Sequence, residues 1–412
     1  MSFKISFFLF SFCSFFVACQ TVSEQNALAS PPLSATAAID EPPTNEYSTV
    51  KLRFADTTSP EAREMIKRLD SFYRVEVARG FNGSVLVGYK GKILYERYYG
   101  YCNKGTNSIL CAQNPSQLAS TSKPFTATAV LWLYQNKYLD IYKPVKTYLK
   151  DFPYEDITVA QMLSQRSGLP DYTKMGNRYW KSNEPMYNED LLQILARNKP
   201  GLNSRPGTRF EYSNTNYAML ARLIEEVAQM PYRQFMKEFI FEPLGMKHTF
   251  VYDPQDRDRV NNTVTQSYAY NWSVFPETNE DGVYGDKGIY STVEDMYRWD
   301  QSFYQHALLN ERTLQMAYTG YSNEKPGVKN YGYGWRMFNY PDGYKIIYHN
   351  GWWHGNNTVF YRFVKDNFTI IVLGNKYNTK IYGHAKSIYS LVKNSAEHPD
   401  VEWEESGSPH EE

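Results

Sequence analysis

A serine and a lysine three residues apart are the first candidates for chemistry in this sequence. In Ser120-x-x-Lys123, both side chains would share one face of a helix, because residues i and i+3 are neighbours there. A serine with an adjacent base is the usual requirement for nucleophilic catalysis. In the first turn of a helix, the serine N–H also has no helical partner and can stabilise an oxyanion. The pair therefore favours nucleophilic catalysis.

The surrounding sequence, rather than the spacing, selects Ser120. The same spacing starts at Ser48, Ser322 and Ser390, and an isolated Ser-x-x-Lys is usually an exposed helix pair. Ser48 lies in a predicted tether, Ser322 precedes a Pro-Gly loop, and Ser390 is at the end of the last predicted helix. Only Ser120 stands between predicted strands and an apolar helix, and Pro124 is typical of a first helical turn.

Two further motifs carry groups that handle protons and amides. In Tyr212-x-Asn214, the phenol can relay a proton and the amide can bind a substrate amide. In His349-x-Gly351, the glycine lets the backbone approach a ligand, and the N–H of Trp352 offers a second oxyanion donor. Taken alone, the Tyr-x-Asn pattern is expected by chance in a chain with 36 tyrosines. Taken alone, His349 is explained equally well as a histidine that is hydrogen-bonded within a sheet.

Composition argues against several other classes of function. Lys plus Arg and Asp plus Glu both number 44, so a basic surface for nucleic acid is not expected. Seven histidines with no H-x-H or HExxH spacing give no case for a metal, and no cofactor is expected. Four cysteines in 412 residues are too few for a disulfide scaffold.

Helices and strands alternate around the three motifs in an informative order. A helix over 59–78 precedes two strands joined by a Lys90-Gly91 turn. Residues 121–275 are mostly helical, and three strands and a last helix follow from residue 344. The order indicates an α/β chain with one sheet built from distant segments and a helical part inserted. Strands are predicted over 83–88, 93–99, 344–349, 358–364 and 368–373, and further helices over 125–139, 159–163, 190–198, 217–227, 232–240 and 380–393.

The first 19 residues are typical of an export signal. Lys4 precedes an apolar stretch over 5–17 that is too short to span a bilayer. Ala18-Cys19 is similar to the lipobox of bacterial lipoproteins, although Phe16 stands where that motif usually has Leu. We favour lipidation of Cys19, and ordinary signal cleavage near Ala18 is the alternative.

The remaining boundaries follow from composition. Residues 20–60 are predicted to be a flexible tether, and residues 395–412 an acidic disordered tail. Between them, 61–394 is predicted to be the catalytic domain, with its sheet part over about 61–115 and 276–394 and its helical part over about 116–275. Export makes a disulfide between Cys102 and Cys111 possible, and two free thiols are the alternative.

Together, in this order and at these separations, the motifs resemble the three signatures of serine β-lactamases and penicillin-binding proteins. The resemblance is strongest to class C β-lactamase-like serine hydrolases, which include D-Ala-D-Ala carboxypeptidases, D-aminopeptidases and esterases. It covers roughly residues 65–394 and includes stretches such as Leu163–Pro170 and Gly288–Thr292. It implies a β-lactamase/transpeptidase-like α+β fold, in which helices flank an antiparallel sheet and a mostly helical subdomain is inserted.

The resemblance also implies a role for each motif residue. Ser120 would be the acylated nucleophile, and Lys123 and Tyr212 would share proton transfer. Asn214 would orient the substrate amide, and the N–H groups of Ser120 and Trp352 would form the oxyanion hole. A solvated lysine has a pKa near 10.4, so a neutral amine near pH 7 needs a pKa lowered by about three units.

The third motif bears on the substrate. His349 and Gly351 would contact it, but penicillin-recognising enzymes often carry Lys where His349 stands, and an unperturbed His is mostly neutral at pH 7. We therefore expect a small amide, peptide or ester substrate, such as a D-amino-acid-containing cell-wall peptide. A β-lactamase in the strict sense and a catalytically inactive binding or scaffold protein are the alternatives.

The expected setting of the protein follows from the same features. We predict an exported protein that is anchored by the lipid on Cys19 to the bacterial cell envelope, on the periplasmic side or at the cell surface. Its partners would be that membrane and a small-molecule or peptide substrate, with no nucleic acid. The sequence leaves the oligomeric state open.

Overall fold

The computed structural model describes residues 50–175, 178–260, 263–393 and 403. The chain divides into two units, Met1–Ala35 and Thr36–Glu412, and all described residues belong to the second. The predicted signal segment and Cys19 lie outside the described residues. Within them, no helix has the length and apolar character needed to cross a membrane.

A seven-stranded sheet forms the centre of the second unit. Every neighbouring pair of its strands is antiparallel. From one edge to the other its strands are Lys92–Tyr99 (β2), Gly83–Tyr89 (β1), Phe368–Gly374 (β12), Asn356–Phe363 (β11), Lys345–Trp353 (β10), Arg336–Asn339 (β9) and Lys329–Tyr331 (β8). The sheet brings together the two ends of the described chain, because β12 lies between β1 and β11.

Five short strands form two smaller sheets near the large one. Their bounds are Tyr101–Asn103 (β3), Ser108–Ile109 (β4), Ser116–Gln117 (β5), Phe250–Val251 (β6) and Ile289–Ser291 (β7). Strands β3 and β4 pair with each other, and β7 lies between β5 and β6.

The large sheet is buried on both faces, and alternate residues of its strands enter different cores. In β12, Ile370 and Val372 pack into one hydrophobic cluster and Ile371 and Leu373 into the other. This is the period-2 alternation of a strand. The first cluster includes residues of the first and last helices, and the second includes the helices between. The predicted sheet of distant segments flanked by helices is therefore confirmed.

Eleven α-helices surround the sheets in the described part of the chain. Ser59 caps the first, since its hydroxyl accepts a hydrogen bond from the N–H of Ala62. The helices span Pro60–Ala78 (α1), Lys123–Gln135 (α2), Val159–Leu163 (α3), Tyr172–Met175 (α4), Asn188–Asn198 (α5), Asn214–Ala228 (α6), Tyr232–Phe235 (α7), Arg257–Val260 (α8), Val293–Tyr304 (α9), Glu311–Ala317 (α10) and His384–Lys393 (α11).

Several elements differ from the predictions. Helix α9 lies against strands β1 and β12, but its residues fall in a region predicted as part of the sheet. The short strands β8 and β9 were not predicted either. Helix α7 continues as a π-helix over Met236–Phe241, and a 3-10 turn over Thr379–Gly383 precedes α11.

The folded part of the chain begins before residue 61, the predicted start of the catalytic domain. Residues 50–59 were assigned to the tether, but Val50 is buried in the core. Ile93 of β2 donates a backbone hydrogen bond to Arg53, and Ala55 donates one back to Ile93. Backbone pairing at the edge of β2 therefore holds this segment, which composition alone does not reveal.

Of the predicted tail over 395–412, the structure describes Trp403 alone. Trp403 packs its ring against Tyr361, Phe363 and Tyr389. An aromatic side chain buries a large apolar area, which offsets the cost of ordering it. At this residue the prediction of disorder is wrong.

The disulfide between Cys102 and Cys111 is not formed. Both residues are free thiols, Cys102 buried and Cys111 exposed. The Cys102 Sγ donates to the carbonyl oxygen of Val264 at 3.2 Å, so it has a partner of its own on another segment. Of the two possibilities that the sequence left open, the structure has the free thiols.

Candidate active site

Ser120 lies in a 3-10 turn over Ala119–Ser122 that leads directly into α2. The sequence places it in the first turn of the helix, and the structure places it just before. Ala119 has a φ of +50°, a left-handed conformation that costs energy for a residue with a Cβ and is often found at functional sites. Ser120 is half-buried, so it remains partly accessible to solvent.

Two packed helices bring the first two motifs together. Lys123 is the first residue of α2 and Asn214 is the first residue of α6, and α2 packs against α6. Helix α2 is buried along most of its length, as expected for a helix that is apolar on all sides. The packing of these two helices therefore fixes the positions of the Lys123 and Asn214 side chains.

The Lys123 amine is completely buried and has three oxygen neighbours. The Nζ atom lies 3.0 Å from Ser120 Oγ, 2.8 Å from Asn214 Oδ1 and 2.9 Å from the backbone oxygen of Asp286. An amide oxygen and a backbone carbonyl only accept hydrogen bonds. A neutral amine has two N–H groups and one lone pair, so these two acceptors take both hydrogens and the lone pair is left for the Ser120 hydroxyl.

Burial shifts this amine toward its neutral form, which becomes the major form above about pH 8. Burial lowers the pKa of Lys123 to about 8, against the opposing effect of the Asp286 and Asp171 carboxylates and with a smaller contribution from the Arg336 cation. A lysine that acts as a base near pH 7 needs a pKa about three units below that of a solvated lysine. Burial of Lys123 accounts for most of that decrease.

Tyr212 lies beside Lys123 and Ser120. The Lys123 Nζ lies 4.9 Å from the centre of its ring, and the Ser120 side chain is close enough to influence the pKa of its phenol. Burial raises the pKa of Tyr212, although the Arg336 cation and the Ser120 side chain oppose the rise. The phenol is therefore protonated near neutral pH, which makes it a proton donor and relay rather than a base.

The Asn214 side chain is held by two groups. Its Oδ1 accepts from Lys123, and its Nδ2 donates to Asp171 Oδ2 at 2.9 Å. The Asn214 backbone N–H also donates to that carboxylate at 3.2 Å. An amide nitrogen has two hydrogens, so one N–H of Asn214 is left for a substrate carbonyl.

Strand β10 brings the third motif against the nucleophile. Its pairing with β9 ends at Tyr348, and beyond that point the strand faces the turn that holds Ser120. The Thr121 hydroxyl donates to the carbonyl of His349 at 3.3 Å. A Cβ on Gly351 would lie 2.3 Å from the Leu118 oxygen and 3.2 Å from the Ser120 nitrogen, so only glycine fits here.

His349 is buried and uncharged. Its Nδ1 lies 2.7 Å from the Asn350 carbonyl oxygen, which requires the proton on Nδ1. Its Nε2 is then an acceptor, with no hydrogen-bond partner among the described residues. Burial, together with the Arg336 and Lys123 charges, lowers the pKa of His349 well below its usual value.

Trp352 follows this motif on β10, next in the chain to Gly351. Its indole Nε1 donates to the carbonyl of His354 at 3.0 Å, and its ring lies 6.2 Å from that of Tyr377. The close approach of Gly351 to Ser120 brings this part of the strand near the nucleophile. The role of the Trp352 N–H as an oxyanion donor stays a prediction.

Sequence reasoning missed three charged residues at the site. Arg336 on β9 has its guanidinium 5.2 Å from the centre of the Tyr212 ring, and Asp171 and Asp286 hold Asn214 and Lys123. The sequence signal for Arg336 is a charged residue directly before the apolar pair Met337-Phe338. Asp171 follows Pro170 in one loop and Asp286 follows Gly285 in another. Neither lies in a helix or strand whose periodicity could have identified it.

Comparisons with known proteins show the family to which the chain belongs. A family model described as Beta-lactamase matches residues 70–387. Penicillin-binding protein 4* of Bacillus subtilis is 32% identical over 320 residues, which cover 74% of this chain and 70% of that protein.

Solved structures share the fold. A penicillin-binding protein from Bacillus halodurans has a TM-score of 0.68 at 22% identity, covering 78% of this chain and 98% of its own. The D-amino acid amidase from Ochrobactrum anthropi has a TM-score of 0.66 at 21% identity, covering 82% and 99%. The β-lactamase/transpeptidase-like fold predicted from the sequence is thereby confirmed.

Proposed function

The chain belongs to the beta-lactamase family of serine hydrolases, and on that premise we propose that it cleaves small amide, peptide or ester substrates through an acyl-enzyme on Ser120. D-amino-acid-containing cell-wall peptides are the substrates we favour. The observation that carries the proposal is the buried Lys123 amine, 3.0 Å from Ser120 Oγ with its two other neighbours both acceptors.

The first half of the reaction forms the acyl-enzyme. Lys123 accepts the Ser120 proton while Oγ attacks the substrate carbonyl carbon, and the carbonyl oxygen becomes an oxyanion. The N–H groups of Ser120 and Trp352 stabilise that charge. The proton then passes from Lys123 through the Tyr212 phenol to the leaving amine or alcohol, the scissile bond breaks, and the acyl group stays on Ser120.

The second half returns the enzyme to its starting state. A water molecule attacks the ester carbonyl and gives its proton to the Tyr212 and Lys123 pair. The tetrahedral intermediate collapses, and Ser120 Oγ recovers its proton as the acid product leaves. The same groups serve both halves because Lys123, with a pKa of about 8, can take and release a proton near neutral pH.

The substrate preference rests on the shape and charge of the site. The free N–H of Asn214 suits a substrate amide, and the neutral His349 offers an acceptor where a cation is often found. Penicillin-binding protein 4* and the D-amino acid amidase, similar in sequence and in fold respectively, bear names that point to penicillin and to D-amino acid amides. The name of the amidase agrees with an acyl group derived from a D-amino acid.

A second candidate function, β-lactam hydrolysis, is favoured by one residue that the sequence did not reveal. Arg336 carries a positive charge beside Tyr212, on the strand next to His349. A carboxylate on a β-lactam would be attracted to this cation even though His349 is neutral. The turnover of nitrocefin separates the two candidates.

The test of the nucleophile is covalent labelling of two matched variants. A fluorophosphonate or penicillin probe should label the wild type and the Ser390→Ala control, in which an exposed serine of another Ser-x-x-Lys pattern is removed. Ser120→Ala should not be labelled. Unchanged labelling of Ser120→Ala would refute the assignment, and a wild type that no serine probe labels would favour an inactive binding protein. Turnover of D-Ala-D-Ala peptides, D-amino acid amides, nitrocefin and short esters then identifies the substrate.

The cellular location is part of the same proposal. Export and a lipid on Cys19 would hold the domain in the bacterial cell envelope, near the proposed cell-wall substrate. In a bacterial host, the wild type should incorporate labelled palmitate and sediment with membranes, and Cys19→Ala should do neither. A soluble, unlabelled wild type would instead indicate ordinary signal cleavage near Ala18.

A further inference from the structure

A buried phenol lies behind the strand that carries the third motif. Tyr382 belongs to the 3-10 turn over Thr379–Gly383, which packs against β11. Its ring is part of the hydrophobic cluster that includes residues of α1 and α11, and the residue is only 2% exposed. Its hydroxyl donates to the carbonyl oxygen of Gly351 at 3.0 Å. No step of the proposed reaction uses this phenol directly.

The neighbouring groups fix the direction of this hydrogen bond. The Asn378 N–H can only donate, and it bonds to Asn357 Oδ1 at 3.0 Å. The nitrogen of the same amide, Asn357 Nδ2, therefore donates to the Tyr382 oxygen at 2.8 Å. The phenol hydrogen is then left for the Gly351 carbonyl, which only accepts. Three hydrogen bonds thus run in one direction and end on the peptide group that joins Gly351 to Trp352.

That peptide group carries the N–H of Trp352. The peptide is trans and planar, so its N–H points away from its carbonyl. A hydrogen bond that holds the Gly351 carbonyl therefore also fixes the direction of the Trp352 N–H. The Ser120 turn lies beside this peptide, because a Cβ at Gly351 would be 3.2 Å from the Ser120 nitrogen. The two N–H groups proposed to bind the oxyanion are thus carried by neighbouring segments.

The same hydrogen bond makes the Trp352 N–H a stronger donor. A peptide group is conjugated, so a carbonyl oxygen that accepts a hydrogen bond draws electron density from the N–H of its own peptide. Successive hydrogen bonds polarise one another in a protein interior, where the dielectric constant is low. Asn357 is 1% exposed and lies opposite Trp352 in the pairing of β10 with β11. Because Asn357 and Tyr382 are both buried, bulk water does not compete for these bonds.

We propose that Tyr382 is a positioning residue that orients and polarises the Trp352 N–H through the Gly351 carbonyl. The inference rests on the proposed function, because it takes the Trp352 N–H as an oxyanion donor in the Ser120 reaction. Tyr382 acts through the peptide group and not on the substrate. Asn357 supports it by holding the phenol oxygen as an acceptor, which directs the phenol hydrogen to Gly351.

The first test removes a single oxygen atom. Tyr382→Phe keeps the ring in the core and deletes the hydroxyl. The Trp352 N–H stays in place but loses its support, so the effect should be smaller than the roughly 100-fold or more that follows the loss of a whole donor. We expect the maximal rate of labelling at saturating fluorophosphonate to fall about tenfold. The half-saturating probe concentration should stay within about twofold, because the bond matters only when the oxyanion forms.

Tyr154→Phe is the matched control. The Tyr154 hydroxyl also donates to a backbone carbonyl, that of Pro200 at 2.5 Å, and the variant removes a bond of the same kind from residues that the site does not use. Its labelling should be the same as that of the wild type. A Tyr382→Phe protein labelled at the rate of this control would refute the positioning role.

The amide signal of Trp352 gives a readout that does not depend on activity. Isotope labelling of the eight tryptophans makes their backbone amides visible by NMR, and the spectrum of Trp352→Phe identifies the signal that belongs to Trp352. This signal should move in Tyr382→Phe, because the loss of the bond to the Gly351 carbonyl changes the electron density at the Trp352 nitrogen. It should not move in Tyr154→Phe. An unmoved signal in folded Tyr382→Phe would overturn the proposal.

The two readouts separate this inference from the proposed function. If the wild type and Tyr382→Phe are labelled equally fast at Ser120, the proposed function stands and the positioning role is refuted. If no protein is labelled but the Trp352 signal moves, the proposed function fails and the orientation of the Trp352 N–H by Tyr382 stands.

A second variant decides if Tyr382→Phe does not fold. The carboxylate of Asn357→Asp can only accept, so it should draw the phenol hydrogen away from Gly351. We expect the same fall in the maximal labelling rate, about tenfold, and a moved Trp352 signal. A wild-type rate and an unmoved signal in Asn357→Asp would overturn the proposal.

Discussion

Replacing Gly351 with alanine should inactivate the enzyme without unfolding it. The added Cβ would lie 2.3 Å from the Leu118 oxygen and 3.2 Å from both Ala119 Cβ and the Ser120 nitrogen. These atoms belong to the backbone or to a short side chain and cannot rotate away. A normal contact of roughly 3.3 Å with the oxygen requires strand β10 and the Ser120 turn to separate by about 1 Å.

The size of the effect follows from the geometry of oxyanion stabilisation. Donors must lie about 2.7–3.1 Å from the oxyanion, and the loss of one costs roughly 100- to 1,000-fold in rate. A shift of 1 Å in the Ser120 N–H, or in the part of β10 that carries the Trp352 N–H, is enough to lose the hydrogen bond to the oxyanion. We expect the second-order rate of fluorophosphonate labelling to fall by about 100-fold or more in Gly351→Ala.

Gly383→Ala provides the matched control. A Cβ at that position meets no atom within 4 Å, so labelling should stay at the wild-type rate. Circular dichroism melts of both variants should show folded protein, with any loss in Gly351→Ala limited to the roughly 1–3 kcal/mol typical of overpacking. A folded Gly351→Ala protein that is labelled as fast as the wild type would show that this close approach does not position the oxyanion donors.

Three other perturbations test different parts of the structure. Because burial lowers the pKa of Lys123 to about 8 and only the neutral amine accepts a proton, labelling should accelerate about tenfold per pH unit below pH 8 and level off above it. A rate that falls with rising pH would contradict this role. Arg336→Gln should lower kcat/KM for peptides with a free C-terminal carboxylate roughly tenfold or more, and lower it less for their carboxamides. Equal losses on both would assign Arg336 a structural role. Asp300→Asn should leave the buried Arg362 guanidinium without its charge partner and reduce the free energy of unfolding by about 3–5 kcal/mol. A loss below about 1 kcal/mol in urea unfolding would show that the pair is not needed for stability.

Much of the fold was predictable because its elements carry strong local signals. Helix α1 has a serine cap and a proline at its start, and the hairpin of β1 and β2 turns through Lys90 and Gly91, both with positive φ. Helix α3 has the predicted bounds. Strands β8 and β9, which pair with each other over three residues, carry no comparable pattern, since a strand of three or four residues is too short to show a period.

The site was predictable where chemistry is encoded in short motifs, and not where it depends on tertiary contacts. The motif residues predicted as catalytic, Ser120, Lys123 and Tyr212, do meet in space. Arg336 reaches Tyr212 only because β9 pairs with β10, and Asp171 reaches Asn214 only through the packing of the helical region. No spacing along the chain encodes those contacts.

The hydrogen bonds between Ile93 and the segment around Arg53 and Ala55 matter for how the protein can be handled. Strand β2 is at the margin of the large sheet, and a bare margin offers unpaired amides to any other chain. A recombinant version starting at residue 61 would lose both that cover and the buried Val50. Intermolecular association through β2 would follow, so expression trials should keep the chain from before Val50.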